Sequence, residues 1–425
     1  MSTTLTPRER QLEKQLVETP AVEAAAPVPA RRERLLSLDV FRGMTVAGML
    51  LVNDPGSWGA IYPPLEHAEW HGWTPTDLIF PFFLFIVGIT THLSTTVRRA
   101  KGDTDGELVR QIVRRGALIF LIGFLMSAFP FFQWGPAPDG VASWTFIDRI
   151  AYRWDHVRIM GVLQRIGLAF LLCGLLTLRT TVRQQVVIVA ALLLGYWFAM
   201  TLIPVGPYEL GLHALEDRAW NLSAIIDRAI LTPKHMWVGG DGKFDPEGLL
   251  STIPAVGTAM LGVLAGRWLA SPRPLVERVA GLFFAGAIGA MLGQMWHWSF
   301  PINKSLWTSS YVLFAAGVAC TVLAVCMWLI DLHGLRGWWT KFFEIYGVNP
   351  MVAFVGSGVM ARLIYSIFKV TYDGREIPLQ AGIYRSLFAS WLAPVNASLA
   401  FAVTFVLFWF VILWALYRKR IFLKV

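Results

Sequence analysis

Apolar positions in this chain gather in long runs, not in the short alternations of a half-buried strand or the narrow stripe of a surface helix. About ten windows, near 36–53, 77–97, 112–132, 159–179, 184–204, 247–269, 277–297, 308–330, 342–368 and 394–417, approach the roughly 20 residues a helix needs to cross a hydrocarbon core. The pattern predicts an all-α, polytopic membrane helix bundle with an even number of spans, so that both chain ends lie on one side. The linkers that would share that side are basic. Arg98, Arg99, Lys101, Arg110, Arg114 and Arg115 crowd the first, Arg179 and Arg183 the second, Arg267, Arg273 and Arg278 the third, and Arg418, Lys419, Arg420 and Lys424 follow the last run. Because cytoplasmic loops carry the excess of Lys and Arg, both termini are expected in the cytoplasm.

Composition agrees. The 425 residues are 55% hydrophobic and 15% charged, against about 25% charged in an ordinary soluble domain, and the mean hydropathy is +0.53. Residues 1–34 are rich in Ala, Pro, Glu and Arg, and Pro20, Pro27 and Pro29 interrupt any helix; they read as a disordered cytoplasmic tail ahead of one membrane domain, 35–425. The run from Leu35 contains Asp39 and Arg42 and lacks a signal-peptide core, so it is read as a retained first span. A net charge of +9 raises nucleic acid as a partner, but the basic residues are scattered between apolar runs and form no stripe; no nucleic-acid partner is expected. Cys173, Cys320 and Cys326 all fall inside apolar runs and read as small core hydrophobes.

The candidate chemistry sits in the segment from Asn53 to Asp77. It contains no Lys or Arg, yet holds Asp54, Glu66, His67, Glu69 and His71 together with Trp58, Trp70 and Trp73. Imidazoles and carboxylates are the groups that proton transfer requires. A helical His67-x-x-x-His71 pair with Glu66 or Glu69 could hold a metal, but the glutamates miss the H-E-x-x-H arrangement and Gly72 and Pro63-Pro64 oppose a long helix; no metal is expected. No G-x-S-x-G elbow or Walker A loop occurs. The outer loops near 133–158, 205–246 and 370–393 carry turn formers such as Pro138-Asp139-Gly140 and Asp241-Gly242-Lys243, and Trp134, Trp144, Trp154, Trp220 and Trp237 suit either an interfacial belt or a sugar platform. Charges inside apolar runs, Asp39, Arg42, Asp77, Arg165 and Arg362, mark a site or a buried pair. Arg158 and Arg165 lie seven residues apart, two helical turns along one face, a spacing open to gripping separate phosphates of an elongated ligand or to bridging helices.

Several segments, in order, resemble the heparan-alpha-glucosaminide N-acetyltransferase family of transmembrane acetyltransferases: Ser37-Leu-Asp39-Val-Phe-Arg42-Gly43, Glu66-His67-Ala-Glu-Trp70-His-Gly72 with Thr74-Pro-Thr-Asp77-Leu-Ile-Phe-Pro81, Arg158-Ile-Met-Gly161-Val-Leu-Gln164-Arg165, Asp245-Pro-Glu247-Gly248-Leu-Leu-Ser-Thr252, Ile302-Asn303-Lys304-Ser-Leu-Trp307 with Ser310-Tyr311, and Arg420-Ile-Phe-Leu-Lys424. The resemblance implies an enzyme of the membrane that moves acetyl from acetyl-CoA to an amino sugar or related glycan on the extracytoplasmic side. His67 then matches the catalytic loop histidine, Asn53 an asparagine near the acetyl group, and Asp77 an aspartate opening the second span; His71 matches no family histidine. Arg158, Gln164, Arg165, Asn303 and Lys304 are assigned to the coenzyme by charge type and placement. The short tail implies a minimal bacterial-type form in the inner membrane, for which heparan sulfate is not the expected acceptor; a homodimer is left open. The chemistry fits these residues apart from the resemblance: His67 as base, or as a transient acetyl carrier, Asn53 donating to the thioester oxygen, and Asp77 holding the imidazole tautomer. Two other readings stand beside it. One is a transporter or flippase of a charged cell-envelope precursor using Asp39, Arg42, Asp77 and Arg165; the other is O-acylation of a glycan.

Overall fold

The computed structural model describes residues 35–135 and 144–423; the tail at 1–34, the Pro138-Asp139-Gly140 turn and Lys424 lie outside the described residues. From residue 36 onward the chain forms one unit. Its helices are α1 (Leu36–Asn53), α2 (Ile79–Ala100, entered through a 3-10 turn at Pro75–Leu78), α3 (Asp105–Ala128), α4 (Phe146–Asp155), α5 (Val162–Arg179), α6 (Val182–Leu202), α7 (Leu222–Leu231), α8 (Thr252–Leu269), α9 (Leu275–Trp296), α10 (Ser309–Cys326, prolonged by π-helical turns over Met327–Leu332), α11 (Trp338–Val348), α12 (Pro350–Arg362, prolonged over Leu363–Ile367), α13 (Leu379–Leu387) and α14 (Pro394–Arg418). Among the described residues, nine helices are long and apolar enough to cross a membrane, and the 24-residue α3 stands where the sequence predicts the third span. The protein is an all-α integral membrane protein.

The expected span at 342–368 is two helices. Pro350 has no N–H to extend a preceding helix and restricts Asn349 before it; Asn349 leaves the helical region (φ −124°, ψ 52°), and α12 begins at the proline. A two-stranded hairpin, β1 (Lys369–Tyr372) with β2 (Arg375–Pro378), occupies part of the loop before α14. Its turn residues Asp373 and Gly374 both have positive φ, as a tight two-residue hairpin turn requires.

Connections alternate between short and long. Residues 101–104, 180–181, 270–274 and 333–337 are brief, whereas 54–74, 203–221, 232–251, 297–308 and 368–393 are longer and hold the small helices and the hairpin. The basic residues lie at the short connections and tie them together: Arg99 donates to the Leu178 carbonyl (2.9 Å) and Arg267 to that of Thr180 (3.4 Å). The longer connections meet at the other face, where Gly72 N donates to Ile302 O (2.8 Å) and Ile159 N to His235 O (3.0 Å).

Between helices in lipid there is little hydrophobic gain, so tight van der Waals contact across small residues must hold them. α1 meets α11 in this way: a Cβ on Gly43 would lie 1.7 Å from the Phe343 carbonyl oxygen, and one on Gly347 2.0 Å from that of Asp39. α2 meets α8 likewise, with Gly88 facing Ala259 O at 1.9 Å and Gly262 facing Phe85 O at 2.1 Å. Around this second contact lies the largest core, with Leu84, Ile166, Val256, Met260, Trp307 and Tyr311 buried together. The three cysteines are buried and unpaired in disulfides, as small core side chains.

These contacts predict that Gly88→Ala forces α2 from α8 and costs on the order of 1–3 kcal/mol or more. Gly195→Ala, in α6 with nothing within 4 Å of the new methyl, should leave stability unchanged or slightly raised. Thermal unfolding of both variants in detergent checks the contrast; equal melting temperatures would remove the close-packing account.

Candidate active site

The loop after α1 is built around one carboxylate. Thr74 caps the turn that opens α2, and Asp77 at its third position reaches back in a capping box. Asp77 Oδ2 accepts from Thr74 N (3.0 Å) and Ala68 N (3.0 Å), while Oδ1 faces His67 Nδ1 at 2.6 Å. The carboxylate is 1% exposed, whereas the imidazole is 47% exposed. Asp77 is thereby fixed by the protein while its partner remains accessible. Tyr311, buried in α10, donates to the Asp77 carbonyl and locks the same turn from below.

Lys304, in the connection between α9 and α10, completes the group. Its Nζ lies 3.1 Å from each ring nitrogen of His67 and 3.8 Å from Asp77 Oδ1. Burial holds this ammonium below its ordinary pKa, against the pull of Asp77 and Glu247 in the other direction. His67, Lys304, Asn53, Thr76 and Glu247 line one cavity, which continues between α1, α2, α5 and α12 along Thr45, Met49, Phe80, Phe83, Ile166 and Phe354. Polar groups therefore stand beside largely apolar walls, the composition usual for small-molecule sites.

Glu247 was not among the residues singled out as a site from the sequence. The signal available was its place in Asp245-Pro-Glu247-Gly248, two carboxylates just before an apolar run with Arg158 as a distant counter-charge. Arg158 bonds bidentately to Asp245 (3.0 and 2.5 Å) and also to Glu247 (2.5 Å). These carboxylates hold the Arg158 guanidinium protonated against the opposing effect of burial, and among the groups acting on Glu247 Arg158 is the foremost that keeps it ionised.

The five residues assigned to the coenzyme are thus placed differently. Lys304 stands at the imidazole. Arg158 is engaged by two carboxylates. Arg165 is fully buried, bonds to the Gly248 carbonyl (3.1 Å) and Ser251 Oγ, and lies 5.1 Å from the centre of the Trp307 ring. Gln164 is buried against Gly123 and Gly161 and donates to Ser127 Oγ (3.3 Å). Asn303 is buried; it accepts from Leu306 N (2.9 Å) and lies 3.2 Å from His71 Nδ1. Of these, only Lys304 lines the His67 cavity. His71 does not line the His67 cavity; its Nε2 lies 3.3 Å from Glu216, and burial lowers its pKa. Of the intramembrane charges considered for transport, Arg42 pairs with Asp39 (3.3 Å) and donates to the Gly347 carbonyl, whereas Arg165 bonds at Gly248 and Ser251.

Residues 34–294 match the family model described as heparan-alpha-glucosaminide N-acetyltransferase, catalytic. Among curated proteins, the chain is 28% identical to heparan-alpha-glucosaminide N-acetyltransferase of Homo sapiens and 27% identical to the protein of the same name from Mus musculus, each over 92% of this chain and 60% of the relative. The chain spans about three fifths of the length of these relatives.

Beside Asn53, the Asp54 side chain is buried, and this pushes its carboxyl from 3.8 up to about 7. The folded value lies above the unfolded one, so stability from this group is fully present below about pH 4 and is lost as pH rises through about 7, by up to about 4 kcal/mol at 1.36 kcal/mol per unit. Asp54→Asn should therefore melt higher than the wild type above pH 7, with the gap closing towards pH 5. Melting curves from pH 5 to 8.5 test this; a gap independent of pH would refute it.

Proposed function

The chain belongs to the heparan-alpha-glucosaminide N-acetyltransferase family, and on that premise we propose that it transfers an acetyl group from acetyl-CoA to an amino sugar or related glycan at the face bearing His67. The observation that carries the reading is the His67–Asp77 contact of 2.6 Å at the wall of a cavity that also presents Asn53 and Lys304. Acyl transfer from a thioester to an amine needs a base for the nitrogen proton and donors for the oxygen that becomes negative.

With Nδ1–H directed at Asp77, the His67 lone pair is on Nε2, the atom that accepts the amine proton as the N–C bond forms and the C–S bond breaks. The same proton then passes to the departing thiolate. If Nε2 attacks first, His67 instead carries the acetyl group until the acceptor arrives; both routes use the tautomer that Asp77 selects. Asn53 donates an amide N–H to the thioester oxygen, and the Lys304 ammonium beside the ring supplies positive charge to the same oxyanion. The apolar walls formed by Phe80, Phe83, Ile166 and Phe354 suit the uncharged arm of the donor. Arg158, Arg165, Gln164 and Asn303 act as positioning residues: Arg158 sets Glu247, Arg165 the turn at Gly248–Ser251, Gln164 the start of α5, and Asn303 the connection that bears Lys304. The face with the basic short connections is cytoplasmic, which puts His67 at the extracytoplasmic surface of the membrane.

Purified protein in liposomes, given acetyl-labelled CoA and a panel of amino sugars, tests this. His67→Ala should lower turnover by about 10²–10⁴-fold while donor affinity changes little; full turnover in that variant would overturn the assignment. Label retained on the protein without acceptor, and absent from His67→Ala, distinguishes the carrier route. Acceptor movement without acetyl-CoA would favour the transporter reading. A Lys304→Met variant should lose turnover with a smaller change in donor affinity, since its charge is placed at the reacting end.

A further inference from the structure

A second cavity lies between α2, α3 and α5 towards the basic short connections and shares no residue with the His67 chamber. Its origin is the packing of α3. The glycine face of α3 lies against α5, where a Cβ on Gly167 would come 2.8 Å from Gly116 O and one on Gly123 2.7 Å from Leu163 Cβ. α3 is drawn to α5 and touches α2 only slightly, although the two are consecutive. The wedge left between them is unusually polar for a bilayer-embedded cleft, since it is lined by Thr91, Ser94, Gln111 and Arg115 as well as Ile112 and Phe170.

Arg115 sets the chemistry. Its Nε is buried and makes no hydrogen bond, no carboxylate pairs with it among the described residues, and its guanidinium carbon lies 5.4 Å from the centre of the Phe170 ring. A cation in such a position is normally paired or marks a ligand path. Thr91 donates to its own helix, to Val87 O at 2.7 Å, but its oxygen can still accept, and the Ser94 and Gln111 side chains have no hydrogen-bond partner among the described residues. Donors in excess, with no acid among the lining residues, describe an anion site. On the neighbouring stripe of α3, Arg110 and Arg114 are exposed in line with Leu118, Leu121 and Leu125, so the cleft opens beside a lipid-facing surface with cations at headgroup depth.

We propose that the Arg115 cleft binds a phosphate ester, its phosphate held by Arg115, Gln111 and Ser94 and its neutral or apolar remainder lying along Ile112 and Phe170. Guanidinium and phosphate match in geometry and charge. The ligand comes either from the bilayer, as an anionic phospholipid, or from solution, as a phosphorylated nucleotide.

Native mass spectrometry of the full chain in detergent measures retention of phosphatidylglycerol and phosphatidylcholine, with adenosine 3′,5′-bisphosphate as the soluble competitor. The wild type should retain phosphatidylglycerol or the bisphosphate over phosphatidylcholine, Arg115→Gln should weaken this at least about tenfold, and Arg115→Lys, which keeps the charge but not the fork, should restore only part of it. Displacement of lipid by the bisphosphate assigns the site to a soluble ester, and its failure assigns it to lipid; either result supports a phosphate site. Unchanged retention in Arg115→Gln, or equal retention of both lipids with no bisphosphate bound, would overturn it. If Arg115→Gln does not fold, the Ser94→Ala, Gln111→Leu double variant decides, and undiminished binding there likewise overturns the proposal.

Discussion

The site depends on where one carboxylate was placed. Asp77 sits at the first turn of α2, almost sealed from solvent, and gathers the imidazole of His67, two backbone amides of the loop and the nearby charge of Lys304. Each contact restrains a different piece of chain: the loop after α1, the opening of α2 and the connection between α9 and α10. A capping residue that a helix needs in any case thereby also fixes the orientation of the half-exposed His67 imidazole. A shorter or longer side chain at that position could cap the turn but could not reach both His67 and Ala68.

Beneath that anchor, the frame is held by glycine-lined crossings. α1 with α11 and α2 with α8 approach so closely that backbone carbonyls occupy the space where a Cβ would stand. Close approach at some pairs requires distance at others, because each helix has one glycine face and several neighbours. The His67 chamber between α1, α2, α5 and α12, and the Arg115 cleft between α2, α3 and α5, occupy the places where helices are held apart. The cavities are consequences of the same packing that stabilises the bundle.

Charge within the bundle follows a similar economy. Arg158 is matched by Asp245 and Glu247, and Asp39 by Arg42. Arg165 has no direct carboxylate contact among the described residues and is held by a carbonyl, a hydroxyl and the face of Trp307. In a low-dielectric interior an uncompensated charge is costly, so most cations that look poised to seize a ligand are instead committed to the protein. Lys304 also lies near a carboxylate, Asp77, but lines a cavity as well, and Arg115 lines a cavity with no carboxylate paired to it among the described residues.

Local sequence patterns were enough to give the all-α membrane architecture and the approximate position of the spans, and to single out the segment 53–77 as a candidate site. Those properties follow from local composition: a run of about 20 apolar residues has few alternatives to a membrane helix, and a loop of histidines and carboxylates without Lys or Arg stands out against it. The sequence also carried His67, Asn53, Asp77 and Lys304 as candidates, through motif order. How they are grouped depends on the fold. Lys304 is 237 residues from His67 and yet touches it; Glu247 enters the same wall from before α8; Arg158 and Arg165, two turns apart in register, are drawn to different partners because the chain is not helical until Val162. Such contacts arise from which helix faces pack together, a property of pairs of distant segments that no single window of residues contains.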